Sequence, residues 1–256
     1  MARLPEYLSS LNFRNPSDPE KALFQYALGT ELNMFEWLNT QPEQLAVFSA
    51  YNTAATKIQG RSLQATISAL FPNEKSKISI EESRIEEDQI LLVDVGAGRG
   101  QALKDVRVDR PDLTGRIIAQ DLPEVIEGRD VAEGVENMIY DFLDPQPVKG
   151  ASVYFFCHIF HNWPDVICHR ILANTIDALT PNHSRIVIVD QVLPDTGASA
   201  FSAFMDLSMM TFGGMERTER QWGELLEGVG LSVVRIEGPN AASLSRDGTV
   251  EAVLRG

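Results

Sequence analysis

From Gln89 onward the chain alternates short apolar runs with helical segments, and this alternation restricts the possible folds more than any other feature. The apolar runs are ILLVDV (90–95), GRIIAQ (115–120), VENMIY (135–140), SVYFFC (152–157), RIVIVD (185–190), LSVVRI (231–236) and VEAVLR (250–255). Helical patterns lie between most of them, for example over Pro164–Leu179 and Glu219–Glu227. A strand that is apolar along its whole length needs cover on both faces, and parallel neighbours need the crossover that a helix supplies. The expectation is an α/β fold with a mostly parallel sheet of seven strands.

Residues 1–88 read differently. The stretches DPEKALFQYAL and PEQLAVFSAYNTAATKIQGRSLQATISALF carry apolar residues at helical spacing, with Pro19 and Pro42 where helices begin. The expected organisation is therefore a helical lead-in over 1–88 and a single α/β domain over 89–256, joined through the acidic run Glu81 to Asp88, read as a solvated connector. Repeats are absent.

Charge and cysteine content exclude several classes of function. A formal net charge of -14 argues against nucleic-acid and anionic-membrane partners, because phosphate binding needs a positive surface. Cys157 and Cys168 cannot form a disulfide framework and lack CxxC spacing. The N-terminus has no apolar core for a signal peptide, and no run approaches membrane-spanning length. A cytoplasmic location is expected.

The first strand candidate ends in LLVDVGAGRG, with Gly96, Gly98 and Gly100. Glycines here let the backbone turn sharply and let a ligand approach the strand end. The position that would complete a dinucleotide GxGxxG holds Gln101, which disfavours NAD, and no Lys-Ser/Thr follows as a P-loop requires. The second strand ends in QDLPEV. Asp121 there either caps a helix or accepts hydrogen bonds from ribose hydroxyls, and the glycine loop favours the second role. The third ends in YDFLDP, where Asp141 and Phe142 offer an acid and an aromatic for an adenine.

The fourth strand candidate runs into HIFHNWPD. His161 at a strand end is open to packing or to catalysis, and Trp163 reads as packing beneath the histidine loop. His158, His161 and His169 are divided between strand end and helix, with no cysteine cluster, so no metal centre is expected.

Together DVGAGRG, QDLPEV, YDFLDP, HNWPD, VDQVLP and GGMERTERQW resemble, in order and spacing, the class I S-adenosylmethionine-dependent methyltransferases. More narrowly they resemble the caffeic-acid-type small-molecule O-methyltransferases, in their fungal branch. FQYALGTELNMFEWLN resembles the helical segment ahead of that fold. The resemblance implies a Rossmann-like sheet and an S-adenosyl-L-methionine site at Gly96, Gly98, Asp121, Asp141 and Phe142. It implies His161 as general base, flanked by Asp190 of VDQVLP and Glu216 of GGMERT, and a hydroxyl of a small aromatic or polyketide-like metabolite as methyl acceptor.

Three departures accompany it. Cys157 stands where many relatives have a basic residue, and Asp190 is one methylene shorter than the usual glutamate. The family's N-terminal dimerisation domain is not expected in this chain, which points to a monomer or weak homo-oligomer. Three readings stay open: an O-methyltransferase, a cofactor-binding relative catalysing a dehydration or pericyclic step, and a catalytically silent relative.

Overall fold

Strand β1 (Ile90–Val95) shows how the sheet divides the core: Val93 and Val95 face one hydrophobic cluster and Leu92 the other, with Leu91 joining Leu92 where the β1–β2 register is irregular. Strand β4 (Val153–Cys157) divides its residues the same way, with Tyr154 and Phe156 on the first side and Val153 and Phe155 on the second. Side chains alternate along a strand, so an unbroken apolar run supplies both faces at once. The computed structural model describes residues 2–58, 88–98, 113–127, 133–239 and 247–256, with Leu70, Gly100, Leu103, Val106 and Arg110 as isolated positions between them. The acidic run over 81–87 lies outside the described residues.

The remaining strands are β2 (Arg116–Asp121), β3 (Glu136–Ile139), β5 (Arg185–Leu193), β6 (Arg217–Thr218), β7 (Leu231–Glu237) and β8 (Asp247–Leu254). Sheet order is β3-β2-β1-β4-β5-β8-β7, with β6 paired to β5. Neighbours from β3 to β5 run parallel, while β8 lies antiparallel to both β5 and β7. All seven expected strands are present, and the fold is the expected mixed α/β sheet. The two-residue β6 is an eighth strand, too short to leave a periodic signal.

Helices cover the sheet for local reasons. The helix α6 (Asp165–Ile176), named in chain order below, buries Cys168, Ile171, Leu172 and Thr175, an i, i+3, i+4, i+7 stripe that joins the first core cluster or lines it. Before the sheet come α1 (Leu4–Ser10), α2 (Leu23–Leu28), α3 (Met34–Asn39) and α4 (Pro42–Ile58). After β2 comes α5 (Pro123–Ile126), and α7 (Ala200–Met209) and α8 (Glu219–Glu227) follow later. Both α3 and α8 start with a reciprocal capping box, Asn33 with Glu36 and Thr218 with Gln221. Among the described residues no helix is long and apolar enough to cross a membrane.

The lead-in packs onto the loop after β4. Phe35 of α3 stacks at 5.6 Å from Trp163, and its other neighbour is Phe48 of α4. Trp163 is buried, in accord with packing beneath the histidine loop. Trp37 lies edge-on to Phe24.

Candidate active site

Two loops define the site. Strand β1 has β2 on one side and β4 on the other, and the chain fills one side before crossing to the second. Loops leaving the carboxyl ends of β1 and β4 therefore diverge, and ligands of open α/β sheets bind in the crevice this leaves.

The glycine loop follows β1. Gly96, Gly98 and Gly100 have φ of +76°, +55° and +68°, a left-handed region that other residues rarely enter. A Cβ on Gly96 would run into the side chain of Ile159, so this loop touches the loop after β4 directly. At Gly98 nothing lies within 4 Å of such a Cβ, which leaves open space above the backbone. Asp121 closes β2. Its Oδ2 accepts the Gly98 N–H at 2.7 Å and its Oδ1 accepts the Leu122 N–H at 2.8 Å. The acid thus holds the glycine loop. Asp141 is exposed and accepts the Leu143 N–H at 2.8 Å in an Asx turn. Phe142 lies edge-on to Trp163, with ring centroids 6.1 Å apart.

The histidine loop follows β4 and contains a single 3₁₀ turn, Phe160–Asn162. His161 is buried at 6% exposure, and its Nδ1 lies 3.1 Å from Glu216 Oε1 and 3.3 Å from Asp190 Oδ1. The three residues expected to act together are brought together. Asp190, with the shorter side chain, stands slightly further away. His158 has φ +56° and lies beside His161, with ring centroids 5.2 Å apart. Its Nδ1 is 3.6 Å from Asp190, and its Nε2 is 3.3 Å from Asp247. Atoms of His158, His161 and Asp190 all fall within 4.8 Å of one another, a grouping that chain spacing alone did not convey; His169 sits apart on α6.

Burial dominates the electrostatics. Asp190 is fully buried, which pushes its carboxyl above the usual range, while the imidazoles of His161 and His158 pull it back and the carboxylates of Glu216 and Asp247 push it further. Neither Asp190 oxygen makes a hydrogen bond among the described residues, so its compensation is ionic. Asp206 of α7 is raised by burial too; it accepts the Glu216 N–H at 2.9 Å and so fixes the backbone that carries that acid. Cys168 is pushed up to about 12 by burial, which makes it an inert packing residue.

Sequence reading missed the supports. Gln191 donates to Glu216 Oε1 at 3.2 Å. Arg217, fully buried, donates to Phe160 O and Trp163 O at 3.0 Å each and pairs with Asp165 at 2.7 Å, clamping the turn that carries His161. A Cβ on Gly214 would strike the backbone of His161 and Asn162. Gln191 and Arg217 are chain neighbours of the two acids, but only the β5–β6 pairing of Val192 with Arg217 explains their convergence.

The family model described as an O-methyltransferase domain matches residues 12–232. Demethylsterigmatocystin 6-O-methyltransferase of Aspergillus parasiticus is 35% identical over 91% of this chain and 57% of its own length. The chain thus spans a little over half of that curated relative. Among solved structures, OxaC in complex with sinefungin and meleagrin aligns with a TM-score of 0.84 at 32% identity, over 99% of this chain and 62% of that one. LepI in complex with SAM aligns at 0.80 and 29%, over 99% and 63%. With the family model matching most of its length, the chain belongs to the O-methyltransferase domain family.

Proposed function

We propose that this chain transfers a methyl group from S-adenosyl-L-methionine to a hydroxyl of a small aromatic or polyketide-like metabolite, with His161 as general base. The observation that carries this reading is the buried contact of His161 Nδ1 with Glu216 and Asp190 beside the switch point of the sheet. A relative whose name specifies transfer to oxygen, and a structural neighbour solved with SAM, support it.

Gly96, Gly98 and Asp121 would hold the cofactor, with Asp141 and Phe142 at its adenine end. The open space above Gly98 and the place of Asp121 at the end of β2, bonded to the glycine loop, fit that role. Bound there, the cofactor supplies an electrophilic methyl group. The chain's own residues align the acceptor and remove its proton. With the Nδ1–H donated to Glu216, the neutral ring carries its lone pair on Nε2, which takes the proton of the acceptor. A phenol titrates near ~10 and an imidazole near ~6.5, so the transfer is helped by carboxylates that stabilise the resulting imidazolium. The partner is a small molecule rather than nucleic acid or membrane, and the protein acts in the cytoplasm.

Incubation with S-adenosyl-L-methionine and a panel of phenols, read by mass spectrometry, should show a gain of one methyl. A rearranged product of unchanged mass, or no product across the panel, overturns the reading. His161→Gln should lower turnover by ~10²–10⁴, with the loss shrinking for acidic phenols and at high pH. Turnover per folded molecule equal to the wild type would remove His161 from the chemistry.

A further inference from the structure

Buried polar atoms without partners gather at one point beside His161. Asp190 is fully buried, and neither of its carboxylate oxygens makes a hydrogen bond among the described residues. The same holds for both ring nitrogens of His158, which are shut off from solvent. A buried polar atom left unsatisfied is costly, and a cluster of them calls for a ligand that satisfies several at once. We propose that His158, His161 and Asp190 bind a divalent transition ion of the zinc class, and that the bound ion shuts off methyl transfer. The inhibition rests on His161 being the base; the site itself does not.

Ligand atoms of the three residues fall within 4.8 Å of one another. Asp190 Oδ1 is shared by the two rings, 3.3 Å from His161 Nδ1 and 3.6 Å from His158 Nδ1. Zinc ligands held at about 2.0–2.1 Å in a tetrahedron stand about 3.3 Å apart, so both edges are near the length the ion requires. Two imidazoles and a carboxylate suit zinc-class ions, whereas Mg²⁺ and Ca²⁺ take oxygen donors. The charge agrees. Glu216 lies 3.1 Å from His161 Nδ1 and Asp247 lies 3.3 Å from His158 Nε2, so Asp190, Glu216 and Asp247 together surround two imidazoles. Asp247 stands where an outer carboxylate orients a metal-ligating ring. Arg217, the chain neighbour of Glu216, is engaged with Phe160, Trp163 and Asp165 instead.

The donors are held in place before an ion arrives. His158 takes a left-handed φ of +56°, its N–H donates to Val189 O at 2.9 Å, and its carbonyl accepts from Asn162 Nδ2 at 2.9 Å. Its side chain is 12% exposed while that of Asp190 is 0%, so an ion enters past His158. Binding acts on the base through its tautomer. An ion on Nδ1 of His161 displaces the proton from that nitrogen, and the neutral ring then carries its one proton on Nε2. No lone pair is left there to receive the proton of an acceptor hydroxyl.

The test is calorimetry with Zn²⁺ on the full chain after treatment with a chelator. One ion per chain should bind, and Mg²⁺ should not compete. His158→Asn should weaken binding at least ~10-fold, since Asn tolerates the left-handed region but cannot replace the imidazole. His169→Asn, which alters a histidine away from the cluster, should leave binding as it is. Binding that survives His158→Asn, or that is lost in His169→Asn, overturns the site. X-ray absorption of the zinc-loaded wild type decides the matter even if His158→Asn does not fold. It should show two imidazoles with oxygen, and a shell with sulfur or without imidazole overturns the proposal. Turnover at saturating zinc should fall by ~10²–10⁴, the contribution of a positioned base. A chain that binds zinc at these residues but methylates nothing when zinc-free defeats the functional reading alone. A chain that methylates equally well with one zinc bound defeats this inference alone.

Discussion

Asp190 places stability and chemistry in opposition within one side chain. Burial raises its carboxyl above the unfolded value of ~3.9, so the folded state resists the ionised form. Below the unfolded value both states are protonated and the group contributes nothing. As pH rises from there through the higher folded value, the unfolded chain ionises first and stability is lost. Asp190→Asn should therefore melt higher than the wild type at pH 7, by about 2–4 °C for each ~1 kcal/mol relieved, and the difference should vanish near pH 3. The same variant should turn over more slowly, because it removes one of the two charges that favour the imidazolium of His161. A melting temperature equal to or below the wild type at pH 7 would show that the two imidazoles compensate the buried charge fully. His161 itself was legible from its place after an apolar run. Its burial at 6% was not, because it depends on the turn clamped by Arg217 and on the close approach of Gly214, both distant in sequence.

At the scale of elements, the site depends on ties between strand ends. Asp121, the last residue of β2, is bonded to Gly98 beyond β1, and Gly96 is packed on Ile159 beyond β4. Moving one loop moves the others. Asp121→Ala should thus affect cofactor affinity twice, by removing an acceptor for the ribose and by releasing the glycine loop. Each hydrogen bond lost is worth ~1 kcal/mol or more, so affinity for S-adenosylhomocysteine measured by calorimetry should fall at least ~10-fold. Unchanged affinity would remove Asp121 from the cofactor site. Element boundaries were read closely where burial is symmetric, as in β1 and β4. They were read short in β5, which continues from Asp190 to Leu193 because β6 and β8 both pair with its end.

For the molecule as a whole, the antiparallel edge is held to the parallel core by a buried ion pair. Arg185 opens β5, Glu251 lies in β8, and both are about 1% exposed with 3.0 Å between them. Arg185 also bonds to the carbonyl of Leu70, and Glu251 pairs with Arg235 of β7 at 3.3 Å. Removing one member of a buried pair strands the other charge, at a cost of roughly 3–5 kcal/mol. Arg185→Met should then lower the melting temperature by about 10 °C. Adding Glu251→Leu should recover much of the loss, since a well-packed apolar pair is often as stable as a buried ionic one. A single variant that melts like the wild type would show that the pair contributes little to holding the sheet together.

The strands and their mostly parallel character, the glycine turn and the acids at the strand ends were all legible in the local sequence. Short apolar runs alternating with helical segments are the pattern of a covered parallel sheet, and Gly96 and Gly98 occupy backbone conformations that few other residues adopt. The antiparallel return of β8, the short β6, and the meeting of His158, His161, Asp190, Glu216 and Asp247 were decided by tertiary structure. Those five residues come from a loop after β4, from β5, from a loop before β6 and from β8, separated by up to 89 positions between His158 and Asp247. Local periodicity carries no information about which strand edge receives the last hairpin. That choice belongs to the pairing energy of the whole sheet, and it determines which carboxylates come within reach of His158.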